Sequence, residues 1–138
     1  MGRAQVIVLD THALLWSQFE AQKLGRKTRA LIEKHWLRGE VGVPSIAFWE
    51  AGMLVERRRI QLQESLREWR ARLVDGGAIE LPIDSEVAIR ATEIVGLHPD
   101  PADRLIVAIT LAHGGLLVTA DEKLLAWRHP LERHDART

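Results

Sequence analysis

What most constrains this chain is a repeated change of hydrophobic period along its length. Short apolar runs, VIVL at 6–9, VGV at 41–43, AIELPI at 78–83 and LLV at 116–118, alternate with stretches patterned for helices. A run that is short, apolar and partly β-branched suits a strand buried on both faces. The stretch from 62 to 73 has a different signature. Leu62, Leu66, Trp69 and Leu73 fall at i, i+4, i+7 and i+11, which is one face of a 3.6-residue period. Further helices are read over 13–16, 28–38, 46 to about 58, 102–113 and 121–127, and along the stripe Val87, Ala91, Ile94 and Val95. Gly39, Gly76, Gly96 and Gly114 stand where helices should stop. Thr11, Ser45 and either Asp84 or Ser85 stand as N-caps, and Pro101 suits a first helical position. Strands alternating with helices from end to end predict an α/β fold, a parallel sheet with helices on both faces.

A chain of 138 residues is expected to form one domain over 1–138, the tail from about 128 either adding an edge strand or staying loose. The hydrophobic share of 46% argues against disorder. Nineteen basic and nineteen acidic side chains cancel, so net charge favours neither a nucleic acid nor a membrane as partner. The absence of cysteine excludes disulfides, thiolate zinc sites and cysteine nucleophiles, and it fits a reducing cytoplasm. The N-terminal apolar run is too short for a signal peptide, and Val6 stands where an N-myristoylation pattern needs Ser or Thr. No apolar stretch approaches the roughly 20 residues that span a bilayer. A cytoplasmic protein without a membrane partner is expected.

The chemistry is carried by acids. Asp10 directly follows the first strand, and Asp121 comes just after the fourth. In an open parallel sheet, ligands bind beyond the carboxyl ends of the strands, so both acids should stand on one rim. Glu50 lies in the apolar segment SIAFWEAGML (45–54), where a lone carboxylate is costly without a cationic neighbour. Asp103 lies in the first turn of the apolar helix PADRLIVAITLA (101–112). Each has a plainer reading when taken singly. Asp103 is favoured by the helix dipole, Asp121 and Asp10 serve as N-caps, and Glu50 pairs with Arg57 or Arg58. Taken together, four acids from four segments make a rim cluster. Such carboxylates raise one another's pKa, and a divalent cation relieves the repulsion. An all-oxygen donor set favours hard ions, Mg²⁺ or Mn²⁺. The chemistry that fits is hydrolysis of a phosphodiester.

The segments LDTHALLW (9–16), SIAFWEAGML (45–54), HPDPADRLIVAITLA (98–112) and LLVTADEKLL (116–125), in this order and spacing, resemble the PIN-domain superfamily, and within it the VapC-type toxin ribonucleases. The resemblance covers roughly 6–127. It implies a PIN-like three-layer sandwich with a parallel sheet of four to five strands, the fifth drawn from around 131–134. It also implies an acidic quartet of Asp10, Glu50, Asp103 and Asp121 as catalytic residues. Asp10 and Asp103 would hold Mg²⁺ or Mn²⁺, and Glu50 and Asp121 would complete the shell. Thr11 and Thr119 sit where the family often has a hydroxyl near the site. Further implications are cleavage of RNA, a cognate VapB-like antitoxin of a type II toxin–antitoxin system, and a homodimer. A non-catalytic PIN-like module that holds RNA or protein is the alternative.

Other features receive plainer readings. Asp100, between two prolines, is read as a turn residue. Trp69 is core or interface, and Trp16 and Trp49 are expected to pack in the core rather than stack a base. ERRR at 56–59 reads as a solvated helix end, with contact to RNA phosphates as the other reading. The six histidines show no metal-ligand spacing, and His12 is left out of the site. His12 also stands where a haloacid-dehalogenase-type phosphatase needs a second Asp, and no GxGxxG follows the first strand, so both those classes fail.

Overall fold

The computed structural model describes residues 5–138. The first four residues, which bear on the leader and acylation readings, lie outside them. The chain runs β1 (Ile7–Leu9), α1 (Thr11–Phe19), a 3₁₀ turn (Ala21–Lys23), α2 (Arg26–Leu37), β2 (Val41–Pro44), α3 (Ile46–Glu56) and α4 (Leu66–Asp75). It continues through β3 (Ile79–Leu81), α5 (Ser85–Glu93), α6 (Pro101–Ala112), β4 (Leu116–Thr119), α7 (Glu122–Ala126) and β5 (Arg133–Asp135). The sheet is fully parallel with strand order β3-β2-β1-β4-β5.

That order places the site. The chain winds outward from β1 to β2 and β3, then returns over α5 and α6 to lay β4 on the other side of β1. The winding therefore reverses between β1 and β4, and a crevice opens there beyond the strand ends. Asp10 follows the end of β1, and its N–H donates to the Val118 carbonyl at 3.2 Å, so it is tied to both central strands.

Alternation along each strand divides the core into two layers. Ile7, Leu9, Val41, Val43 and Val118 face a cluster with residues of α1, α3 and α4. Val8 and Leu117 face the other side, against α5, α6 and α7. On the first side Trp69 is fully buried, its ring 5.4 Å from Phe19 and 5.5 Å from Phe48. On the second, Arg104 donates to the carbonyls of Ala91, Ile94 and Leu97 at 3.0, 2.7 and 3.0 Å. It thereby fixes the loop that leads into α6.

Several boundaries differ from the sequence reading. Asp10, not Thr11, caps α1, accepting from the Ala13 N–H at 2.9 Å. Ser45 gives no side-chain cap, because its backbone is already helical (φ −59°, ψ −29°). The periodic helix starts at Leu66, capped by Ser65, and Leu62 packs against the core from the preceding loop. The α5 helix ends at Glu93, leaving Val95 85% exposed, and Gly96 (φ +76°) turns the chain beyond it. Gly39, at φ +66°, makes the turn from α2 to β2. The tail is an edge strand, Arg133–Asp135, which overlaps the stretch expected around 131–134 and starts two residues further on. Arg133 holds it by donating to Leu124, Trp127 and His129 carbonyls at 2.6, 2.6 and 2.7 Å. No helix among the described residues is long and apolar enough to cross a membrane.

The Trp69 Nε1 is buried without a hydrogen-bond partner. Trp69→Ala should therefore cost about 3–5 kcal/mol through the cavity it opens. Trp69→Phe should cost markedly less, since it also removes an unpaired buried N–H. Urea unfolding of the two variants measures the difference.

Candidate active site

A cleft of about 340 Å³ lies at the strand ends, lined by Asp10, Thr11, His12, Trp16, Glu50, Asp100, Asp103, Ala120 and Asp121. The four acids singled out in the sequence thus line one cleft, delivered by the end of β1, the middle of α3, the first turn of α6 and the segment after β4. Asp100 is a fifth acid on its wall, and among the described residues no lysine or arginine lines it.

Each carboxylate is held by a different local device. Asp10 is 6% exposed. One of its oxygens caps α1, and the other accepts from the Thr119 hydroxyl at 2.5 Å. Thr119 Oγ1 in turn accepts from the Asp121 N–H at 3.0 Å, so one threonine joins two of the acids. Asp121 caps α7, accepting from the N–H groups of Lys123 and Leu124. Glu50 accepts from the Thr11 hydroxyl across the cleft. The plainer alternative for Glu50, a pair with Arg57 or Arg58, does not form: Glu50 accepts from Thr11 on α1, while those arginines are exposed at the end of α3. Asp103 Oδ2 lies 2.8 Å from His98 Nε2. Asp100 caps α6 through the Asp103 N–H at 3.1 Å, so it is more than a turn residue.

The electrostatics follow from burial and like charge. Burial is the main cause that pushes the Asp10 carboxyl up to about 6; the Asp103 charge adds to the rise, and hydrogen bonds from Thr119 and Ala13 oppose it. Glu50 is raised by burial and then by the charges of Asp103 and Asp100, against the Thr11 hydrogen bond. Asp103 is raised by burial, with Asp100 and Asp121 adding to it and the His98 hydrogen bond opposing. The cleft therefore disfavours the ionised state of three of its acids.

In donor chemistry and position the cleft fits a hard divalent cation: carboxylate and hydroxyl oxygens converge, with His12 as the one imidazole and no lysine or arginine among the described lining residues. The carboxylates are occupied by their hydroxyl, amide and imidazole partners. Among the described residues, no three Asp, Glu or His side chains already stand at the mutual spacing that grips one ion.

Sequence reasoning passed over three features of this region. His12 and Asp100 line the cleft. His98 meets Asp103, with its Nδ1 buried and unpartnered; a histidine five residues before an acid, across two prolines, was the available signal. Trp49 was expected in the core and is 58% exposed. The core side of α3 is taken by the small residues Ala47 and Ala51, and the indole points away from them.

The fold and site define a class: a parallel α/β sandwich with an acid-lined crevice at the switch point of its sheet. A family profile for the PIN domain matches residues 7–128. The chain belongs to the PIN-domain family. It is 35% identical to Ribonuclease VapC22 of Mycobacterium tuberculosis over 125 residues, 90% of this chain and 93% of that one. Its fold is similar to a chain of VapBC2 from Rickettsia felis, crystallised with a DNA fragment from their promoter, with a TM-score of 0.69, 14% identity, and coverage of 94% of this chain and 98% of the other. It is also similar to a chain of a toxin–antitoxin complex from Klebsiella pneumoniae, with a TM-score of 0.64, 18% identity, and coverage of 94% and 97%.

The raised carboxyl groups set the sign of the pH dependence in the absence of metal. Asp10 binds its proton more tightly folded than unfolded, so its ionisation costs stability as pH rises from the ordinary value of 3.8 through about 6. The metal-free protein should be more stable at pH 5 than at pH 7.5, with Asp10 contributing about 1 kcal/mol to that difference. Asp10→Asn should flatten that profile. Thermal melts across the pH range in EDTA measure both.

Proposed function

We propose that the protein is a divalent-cation-dependent endoribonuclease, the toxin half of a toxin–antitoxin pair. The observation that carries the reading is the convergence of Asp10, Glu50, Asp103 and Asp121 on one cleft with no lysine or arginine among its described lining residues. The 35% identity to a protein named a ribonuclease supports RNA as substrate. The likeness to chains of toxin–antitoxin complexes supports a VapB-like protein as partner. A homodimer and a cytoplasmic setting accompany this reading.

Asp10 and Asp103 would hold Mg²⁺ or Mn²⁺, with Glu50 and Asp121 completing the shell. The ion, when bound, supplies positive charge that promotes deprotonation of water and offsets negative charge on the phosphate. The chain's own residues provide placement. Asp10 is fixed at the end of β1 by its cap and by Thr119, so its carboxylate presents one orientation to the cleft. Thr11 orients Glu50 from the opposite wall. His98 steadies Asp103, while Arg104 holds the loop on which His98 sits. The Asp10, Glu50 and Asp103 carboxyl groups have raised pKa values, so protons compete with the ion for these sites, and activity should fall as pH drops, the more so at low cation concentration.

The test is cleavage of RNA by purified protein with Mg²⁺ or Mn²⁺. EDTA, Asp10→Asn and Asp103→Asn should each abolish cleavage, and Thr119→Val should lower it by roughly 10- to 100-fold through the loosened Asp10 carboxylate. Cleavage that survives EDTA and both Asp→Asn changes contradicts the assignment. Ion binding without any cleavage would favour a non-catalytic module.

A further inference from the structure

A second cleft of about 260 Å³ adjoins the acidic one and shares Thr11, His12, Glu50 and Asp100 with it. Its remaining wall is Trp49, Met53, Leu54, Arg57, Pro101 and Ala102. We propose that this cleft is a subsite for an unpaired nucleobase flanking the cleaved phosphate, with the Trp49 indole as its stacking face. The inference rests on the ribonuclease reading above and gives it a substrate-positioning residue.

Three observations carry it. First, Trp49 is 58% exposed, whereas Ala47 and Ala51 beside it on α3 are fully buried. The fold does not bury the indole, and what singles it out from an ordinary exposed apolar side chain is that it forms, with Met53, Leu54, Pro101 and Ala102, the apolar wall of a groove that opens into the acidic cleft. Second, Trp49, Met53 and Arg57 fall at i, i+4 and i+8, a single face of α3 that starts beside Glu50 and ends at a cation. Third, Arg57, Arg58 and Arg59 are exposed, and none of them is in a salt bridge among the described residues.

The charge pattern selects the occupant. The acidic cleft repels a nucleic-acid backbone except where a cation sits. The Arg57 end attracts the next phosphates, and the apolar wall between them suits a base rather than a phosphate. Single-stranded RNA is held by splayed bases stacked on aromatic side chains, with phosphates on basic ones. Stacking tolerates any base, because each presents a π-face, so Trp49 would set where the strand lies more than which base is read.

The experiment compares wild type, Trp49→Phe and Trp49→Ala on a single-stranded oligoribonucleotide that the wild type cleaves, and on the same strand with abasic residues flanking the cut. Light scattering reports each protein's oligomeric state. Trp49→Ala should raise KM roughly tenfold or more and leave kcat near the wild-type value, while Trp49→Phe keeps most of the affinity. The abasic strand should raise KM for the wild type and add nothing further for Trp49→Ala. An unchanged KM for Trp49→Ala, with the wild type still cutting, would overturn the subsite and leave the nuclease reading standing. So would dissociation of an oligomer by Trp49→Ala, which would make the face a contact for a second copy of the chain. A wild type that cuts no RNA removes both.

Discussion

Asp10 is a carboxylate buried between the two central strands, with no lysine or arginine among the residues that line its cleft. Such a group is expensive to ionise, and every neighbouring acid makes it more so. Its two oxygens are satisfied, one by the first turn of α1 and one by Thr119, so the cost lies in its charge and not in missing hydrogen bonds. A chain that only needed a helix cap here could use serine or asparagine at lower electrostatic cost. The retained charge is intelligible if a cation meets it.

The topology makes that meeting possible. Because β4 is laid beside β1 on the side away from β2, the ends of β1 and β4 open a crevice that the chain does not cross. Helices on both faces then contribute one acid each from their N-terminal or central turns: Glu50 from α3 on one side, Asp103 from α6 on the other. The same hydroxyl–carboxylate device occurs on both walls, Thr119 with Asp10 and Thr11 with Glu50. Two acids thus receive their orientation from threonines near strand ends, Thr119 as the last residue of β4 and Thr11 two residues past β1. Beside this polar cleft, the Trp49 face of α3 gives the crevice an apolar extension that ends at Arg57.

Much of this was legible in the residues. The runs around Ile7, Val41 and Leu117 are buried strands because nothing but an enclosed sheet would take them, and the order of strands and helices followed from that alternation. The acids could be placed on one rim because strand ends fix Asp10 and nearly fix Asp121. What could not be read depends on contacts distant in sequence or on edges. β5 is RHD, which has no apolar pattern, and it is held by the Arg133 side chain folding back on its own loop. The Glu50 partner, Thr11, lies 39 residues away, whereas the arginines that seemed suited to it are on the same helix. Helix α3 is apolar nearly all round, so its sequence could not say that Trp49 would be the face left outside.

The account depends on the cleft taking up a divalent ion between Asp10 and Asp103. Crystals grown with Mn²⁺ and measured for anomalous scattering near the manganese edge test this directly. The account predicts a strong anomalous peak within coordinating distance of both carboxylates, with Glu50 and Asp121 turned towards it directly or through water. An empty acidic cleft at millimolar Mn²⁺, with the Asp10 and Asp103 carboxylates still on their Thr119 and His98 partners alone, would contradict it.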